Sequence, residues 1–485
     1  MEMESKYAAL RRAAEEAAAV DAHAHNLVAD GSAFPFLRCF SEADAADALA
    51  LAPHTLSFKR SLRDIAALYN CEASLEKVEE FRRAEGLSSI SSKCFKAANL
   101  SAILIDDGID FDKMLELEAH KAFAPTVGRI LRIEKLAETI INDESFSASS
   151  WTLDSFTEIF VTKLKSVANK IVGLKSIAAY RSGLEIDPNI SKTDAEDGLR
   201  KELSGQRPLR ITNKNLIDYL FTCSLEIAVS YHLPMQIHTG FGDKDLDLRK
   251  CNPLHLRAVL EDTRFSKCQI VLLHASYPFS KEASYLASVY SQVYLDFGLA
   301  IPKLSVQGMT SSIKELLELA PIKKVMFSTD GYAFPETYYL GARRARDVVY
   351  RVLSAACEDG DLSIQEAIEA VEDIFRRNAL YLYKLNVANG SVGQITAIAD
   401  NGIPLSEQDV LFVRVVWIDT SGQHRCRVVP AGRFYEIARK KGIGLTFASM
   451  GMTSFTDGPA DGTNLTGVGE IRLMPDMSTL LRLPW

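Results

Sequence analysis

Nine histidines are spread through the chain, and four of them stand at or beside the end of a short apolar run. His23 and His25 lie two apart in VDAHAH, His238 closes QIHTG and His274 closes LLHAS, while Asp330 closes FSTDG. Imidazole and carboxylate are the ligands that suit Zn²⁺ or a similar first-row ion. Side chains two apart on a strand share a face, so His23 and His25 make a two-toothed clip for a divalent metal. A metal site with an open position lowers the pKa of bound water to about 7 and polarises a carbonyl, which is the chemistry of hydrolysis at neutral pH. Asp330 is placed to take the proton from the attacking water and pass it to the leaving group, with His274 polarising the carbonyl or holding the water. His54, His120, His232, His255 and His424 fall in helical or loop sequence or late in the chain, and are read as structural or exposed.

These residues need a frame that brings them to one place. Eight runs rich in Val, Ile and Leu recur before residue 385, at 18–25, 101–108, 126–134, 170–180, 234–240, 268–276, 293–299 and 323–331. Long amphipathic stretches separate them, the pattern of parallel strands with helical crossovers. The pattern predicts an α/β fold, a (β/α)₈ TIM-like barrel with helical insertions, whose catalytic groups gather at the C-terminal ends of the strands. A doubly wound open sheet is the alternative, but no G-x-G-x-x-G follows any strand. The long connection after the first strand, with SLRDIAALYN and SLEKVEEFRRAEGL, is a candidate lid over the barrel mouth. DPNISKTDAEDGLRKELSG, between the fourth and fifth strands, reads as a solvated helical excursion.

Arg132 on the third strand, and Lys175, Tyr180 and Arg181 on or just after the fourth, complete the expected site as substrate-binding groups. A guanidinium at the mouth can clamp a substrate carboxylate. Asp106 and Asp107 are read as supporting residues or caps and given no role.

With 55 basic against 63 acidic residues the net charge is −8, which argues against a general binder of nucleic acid or anionic membrane. No apolar run approaches the roughly 18 residues of a membrane span, and the charged, alanine-rich start lacks the apolar core of a secretory signal. Eight cysteines are scattered without a C-x-x-C pair, so reduced, mostly buried thiols are expected. The expectation is a cytoplasmic homo-oligomer acting on a small molecule.

The motifs VDAHAHN, MQIHTGFGD, IVLLHASYP and VMFSTDG resemble the amidohydrolase superfamily, specifically its amidohydrolase-related (amidohydrolase 2) group, over nearly all of residues 1–385. The resemblance implies that His23, His25, His238 and Asp330 bind one divalent metal, most readily zinc, with His274 beside the water or the substrate carbonyl. Some members carry a carboxylated lysine on strand four bridging two metals, which here would be Lys175 with His274 as a further ligand. The implied reaction is hydrolysis of a C–N bond in a small amide or cyclic amide. Non-oxidative decarboxylation with the same ligands is the alternative.

After residue 388 the pattern changes at a Gly- and Asn-containing stretch, read as a linker over 389–406. From 407 to 485, period-two strands surround the helical AGRFYEIARKKG, which predicts a small α+β domain with a mixed sheet and one covering helix. VLFVRVVWIDTSGQHRCRVVP and the MPD-x-ST ending before PW resemble the N-terminal β-grasp domain of glutamine synthetase, and the order of the two parts resembles the FluG and nodulin–glutamine synthetase-like fusion family. In that family a synthetase catalytic domain follows. Without it no glutamine synthesis is expected, and the chain reads as a truncated form or partial gene model. A non-catalytic assembly subunit of a glutamine synthetase-like complex is the reading from another class.

Overall fold

The computed structural model describes residues 6–143, 151–385, 412–419, 424–446, 450 and 470–476. They group into two compact units, divided between Gln394 and Ile395. The proposed linker at 389–406 and most of the closing MPD-x-ST segment lie outside the described residues.

In the first unit eight strands pair in chain order: β1 (Ala19–Ala24), β2 (Leu100–Asp106), β3 (Val127–Arg132), β4 (Gly173–Ser176), β5 (Met235–Ile237), β6 (Ile270–Leu272), β7 (Val293–Asp296) and β8 (Val325–Met326). Every neighbouring pair is parallel, and seven of the strands lie inside one of the eight apolar runs while β2 begins one residue before its run. Backbone bonds then join the end to the beginning. Ala22 N donates to Phe327 O at 3.2 Å, Asp330 N to His23 O at 3.0 Å and His25 N to Gly331 O at 2.7 Å. The open sheet is thereby set aside, and the fold is a nearly closed α/β barrel.

The strands are apolar throughout because both faces are covered. Ile103, Ile105, Leu174, Ile237, Leu272 and Leu295 pack outward into the main core beneath the helices. Val20, Ala22, Ala102, Leu104, Ile130, Val271 and Met326 form a separate inner cluster, which Leu382 and Tyr383 join. Alternation from those inner residues turns Asp106, Arg132 and Gln236 inward as well. His23 breaks the alternation, since it follows the inward Ala22. A register irregularity between Asp21 and Ala24 supplies the change of phase.

The connection after β1 folds as predicted into two long helices, α1 (Leu56–Tyr69) and α2 (Leu75–Ala98), capped by Thr55 and Ser74 side chains and broken at Gly86 by φ 73°. They carry their own core. Phe40, Phe58, Ile65, Tyr69 and Val78 pack with Tyr332, Phe334 and Tyr339 from the stretch that follows β8. Two cations tie this insertion to the loop after β7. Arg60 donates to Pro302 O at 2.5 Å, and Lys303 Nζ reaches Glu42 Oε1 at 3.0 Å, Cys39 O at 3.3 Å and Arg38 O at 3.4 Å. The excursion between β4 and β5 is a helix over Lys192–Leu203. It is not wholly solvated, because Ala195, Gly198 and Leu199 are buried.

The second unit contains two antiparallel pairs, β9 (Phe412–Ile418) with β10 (His424–Pro430) and β11 (Ile443–Thr446) with β12 (Glu470–Leu473). Helical turns over 431–441 join β10 to β11, and Phe434 and Ala438 bury against Val413, Val429 and Ile443. Among the described residues both pairs are antiparallel and no ladder links one to the other; the rest of the expected sheet lies outside the described residues. No helix among the described residues is long and apolar enough to cross a membrane.

Candidate metal centre

His23 is fully buried inside the barrel, and its tautomer is set by its neighbours. Gln236 on β5 donates through Nε2 to Ala22 O and to Tyr383 Oη, both at 2.7 Å, so its Oε1 faces His23 Nδ1 at 2.8 Å and accepts the ring proton. That leaves the Nε2 of His23 as a lone pair. His25 Nδ1 donates to the backbone carbonyl of Asp106 at 2.8 Å, which also frees its Nε2. His274 Nδ1 donates to Gly298 O at 3.3 Å, and His238 Nε2 to Phe241 O at 3.1 Å, freeing the opposite nitrogen in each ring. Each of the four rings is held by a carbonyl oxygen on one nitrogen and offers the other, the arrangement found around metal-binding histidines.

These lone pairs meet a carboxylate. Asp330 Oδ1 lies 3.3 Å from His23 Nε2 and 3.4 Å from His25 Nε2. Acceptors this close without a proton between them repel, and a shared cation removes the repulsion. Two overlapping groups of mutually close ligand atoms result, His23 with His25 and Asp106, and His23 with His274 and Asp330. His238 belongs to neither group but stands next to them, its ring 4.4 Å from that of His274.

Burial, with Lys175 adding to it, lowers the pKa of His23 to about 4, and burial lowers His274 to about 3 and His238 well below its ordinary value. All three rings are neutral at pH 7. Burial alone would raise the Asp330 carboxyl; positive charge on the surrounding imidazoles, His274 first and then His23 and His25, holds it well below the usual carboxylate range, and with the rings neutral a metal ion would supply that charge instead. Burial brings Lys175 down to about 8 against the pull of Asp106.

The four residues expected to bind substrate divide three ways. Tyr180 stands at the site, its ring 4.5 Å from that of His238. A Cβ on residue 242 would lie 2.0 Å from the Tyr180 hydroxyl, so glycine is required there. Lys175 lies lower, its Nζ 3.2 Å from His23 Nε2, among the prospective ligands. Arg132 and Arg181 each meet a carboxylate of the chain itself. Arg132 grips Asp106, with Nε 3.2 and 3.1 Å from the two carboxylate oxygens and Nη2 2.6 Å from Oδ2. Arg181 is turned to Glu138, with Nη2 2.9 Å from Oε1. Asp106 is fully buried and Glu138 partly so, and a carboxylate out of water is costly to leave without a cation. Of the two roles expected of His274, polarising the carbonyl or holding the water, a ring with its proton on Nδ1 suits the second, since its Nε2 accepts.

Asp106 and Gln236 are the residues that sequence reasoning passed over. Asp106 ends its strand as Asp330 follows its own, so the same positional signal marks it. Gln236 carried no such signal, since an amide two residues before a histidine is ordinary.

With this geometry in view, the comparisons with known proteins fall into place. Residues 218–385 match the Amidohydrolase family model. The match lies within the barrel and spans part of it. The barrel superposes on a protein of Lactobacillus casei ATCC 334, proposed to be a metal-dependent hydrolase, with 26% identity, a TM-score of 0.68 and coverage of 77% of this chain and 97% of that one. It also shares the fold of a uronate isomerase from Thermotoga maritima, at 16% identity and a TM-score of 0.56 over 78% of this chain and 97% of that one. Protein fluG of Emericella nidulans is 33% identical over 510 residues, covering 95% of this chain. The chain spans 57% of the length of that curated relative.

Proposed function

We propose that the barrel is a metal-dependent hydrolase that cleaves a C–N bond in a small amide or cyclic amide. The observation that carries the reading is the convergence of the His23 and His25 lone pairs on Asp330 Oδ1, each ring fixed from behind by a carbonyl oxygen. His23, His25, His238 and Asp330 would hold one divalent ion, with zinc the best match to nitrogen and oxygen donors. The ion supplies Lewis-acid polarisation of the substrate carbonyl and makes water a stronger acid.

The protein's own groups supply the rest. Asp330 accepts the proton of the attacking water and returns it to the leaving nitrogen, a role open to a carboxylate that stays ionised near pH 7. His274, neutral and buried, orients that water by accepting at Nε2. Tyr180, whose hydroxyl burial keeps protonated, is the donor for the carbonyl oxygen. The 26% identity to the Lactobacillus casei protein, across 97% of its length, supports the metal-dependent class.

For the second part of the chain, we propose a glutamine synthetase-like β-grasp module over 407–485, following the barrel at 1–388 and a linker at 389–406. Its support is the antiparallel β9–β10 hairpin followed by a helical stretch, together with the fluG match over 95% of the chain.

Elemental analysis of the purified chain, paired with a screen of small amides, cyclic amides and carboxylates, tests the hydrolase. About one zinc per chain and amine or ammonia release are expected. Metal-free protein after expression in zinc-supplemented medium would end the reading, and CO₂ release without amine would replace it with decarboxylation.

A further inference from the structure

The mouth of the barrel should offer a cation to an anionic substrate, yet three of the cations near the metal residues are committed. Arg132 is held by Asp106, Lys175 lies against His23, and Lys303 is paired with Glu42. Arg181 gives Nη2 to Glu138 on the helix Ile133–Ile141, with Arg210, Glu134 and Arg132 as its other charged neighbours, and its Nε and Nη1 are buried without a hydrogen-bond partner among the described residues.

Arg38 differs. It sits on a short helical turn, Phe36–Cys39, in the insertion after β1. Its backbone carbonyl is gripped from the opposite side of the mouth by Tyr332 Oη at 2.5 Å and Lys303 Nζ at 3.4 Å. Tyr332 is two residues beyond Asp330, so this grip places Arg38 beside the loop that carries the proposed metal ligand. Its guanidinium uses one donor, Nη1, on Glu42 O at 3.4 Å. Its Nε is buried without a hydrogen-bond partner, and its Nη2 makes no hydrogen bond among the described residues. Burial holds Asp243, five residues beyond His238, above the ordinary carboxylate range, and the Arg38 charge pulls against that rise.

Nε and Nη2 form the edge of the guanidinium that receives a carboxylate through two parallel bonds. A buried N–H left without an acceptor is costly, and a ligand that brings the acceptor removes the cost. We propose that Arg38 reads a carboxylate on the substrate, which narrows the substrate class to small amides or cyclic amides bearing a carboxylate. This rests on the hydrolase reading for the reacting bond, but the binding of the anion stands by itself. Lys303 and Tyr332 act as positioning residues for Arg38.

The test measures binding without turnover. Calorimetry on the full chain compares acetate with acetamide, N-acetylglycine with N-acetylglycinamide, and benzoate with benzamide. At least one acid should bind about tenfold more tightly than its amide. Arg38→Met should abolish that preference, and Arg38→Lys should keep part of it. On the unaltered protein, the preferred acid should protect Arg38 from phenylglyoxal, read by peptide mass spectrometry, so the outcome does not depend on any variant folding. Absence of a preference in all three pairs, or a preference that survives Arg38→Met, overturns the proposal. A preference lost with Arg38 in a protein that hydrolyses no amide would keep the anion site and discard the hydrolase.

Discussion

Replacing Asp106 with asparagine should destabilise the barrel by about 3–5 kcal/mol, the usual consequence of removing one partner from a buried ion pair. The structure places this pair in that class. Asp106 is fully buried, the Arg132 side chain is 11% exposed, and two guanidinium nitrogens meet the carboxylate at 2.6–3.2 Å. Asparagine keeps the shape and can still accept from Gly108 N, so the loss isolates the charge. Arg132→Met strands the carboxylate instead and should cost a similar amount. The double variant should lose less than the sum, with a coupling of about 1–3 kcal/mol.

The effect has a pH signature. Burial alone would raise the Asp106 carboxyl, but Arg132, then His25 and Lys175, hold it well below the usual range. A carboxyl whose folded pKa lies below its unfolded value of about 3.9 stabilises the fold above that value and loses the contribution as pH falls below it. The gap between the native protein and Asp106→Asn should therefore be constant from about pH 6 to 7 and shrink towards pH 3. Urea denaturation followed by far-UV circular dichroism, with chelator present so that no metal contributes, measures it. Single variants both within about 0.5 kcal/mol of the native protein, or a gap independent of pH, would refute the reasoning.

Three further outcomes follow from the site. Gln236→Leu removes the acceptor that fixes the His23 tautomer and should weaken zinc binding by about 10- to 100-fold in competition with a chromophoric chelator; unchanged affinity would show that the tautomer is set elsewhere. Asp330→Asn should retain the far-UV spectrum while turnover of any amide found in the screen falls by more than about 100-fold, and activity within a few-fold of native would remove Asp330 from the proton path. Lys303→Ala cuts the ties to Glu42, Cys39 and Arg38, so limited proteolysis should open the chain near residues 38–42 faster than in the native protein, and an unchanged cleavage pattern would mean that Arg60 and the aromatic core hold the insertion alone.

Much of the barrel was legible because a parallel strand buried on both faces must be apolar along its length, and eight such runs leave few folds open. The histidines and Asp330 were legible for a related reason: ligand-type residues ending several apolar runs have one place to meet in a barrel. What the sequence could not state is how each side chain spends its bonds. Arg132 looked like a free cation, and only the approach of Asp106 from the neighbouring strand commits it, while Arg181 gives one nitrogen to Glu138 and keeps Nε and Nη1 unpartnered among the described residues. The inward turn of His23 depends on an irregularity in β1, invisible to simple alternation. Its tautomer depends on Gln236, 213 residues away. Hydrophobic periodicity is a local property and survives in one dimension. Hydrogen-bond partnership in a buried site is decided by which distant groups fold into reach, so it exists only in three.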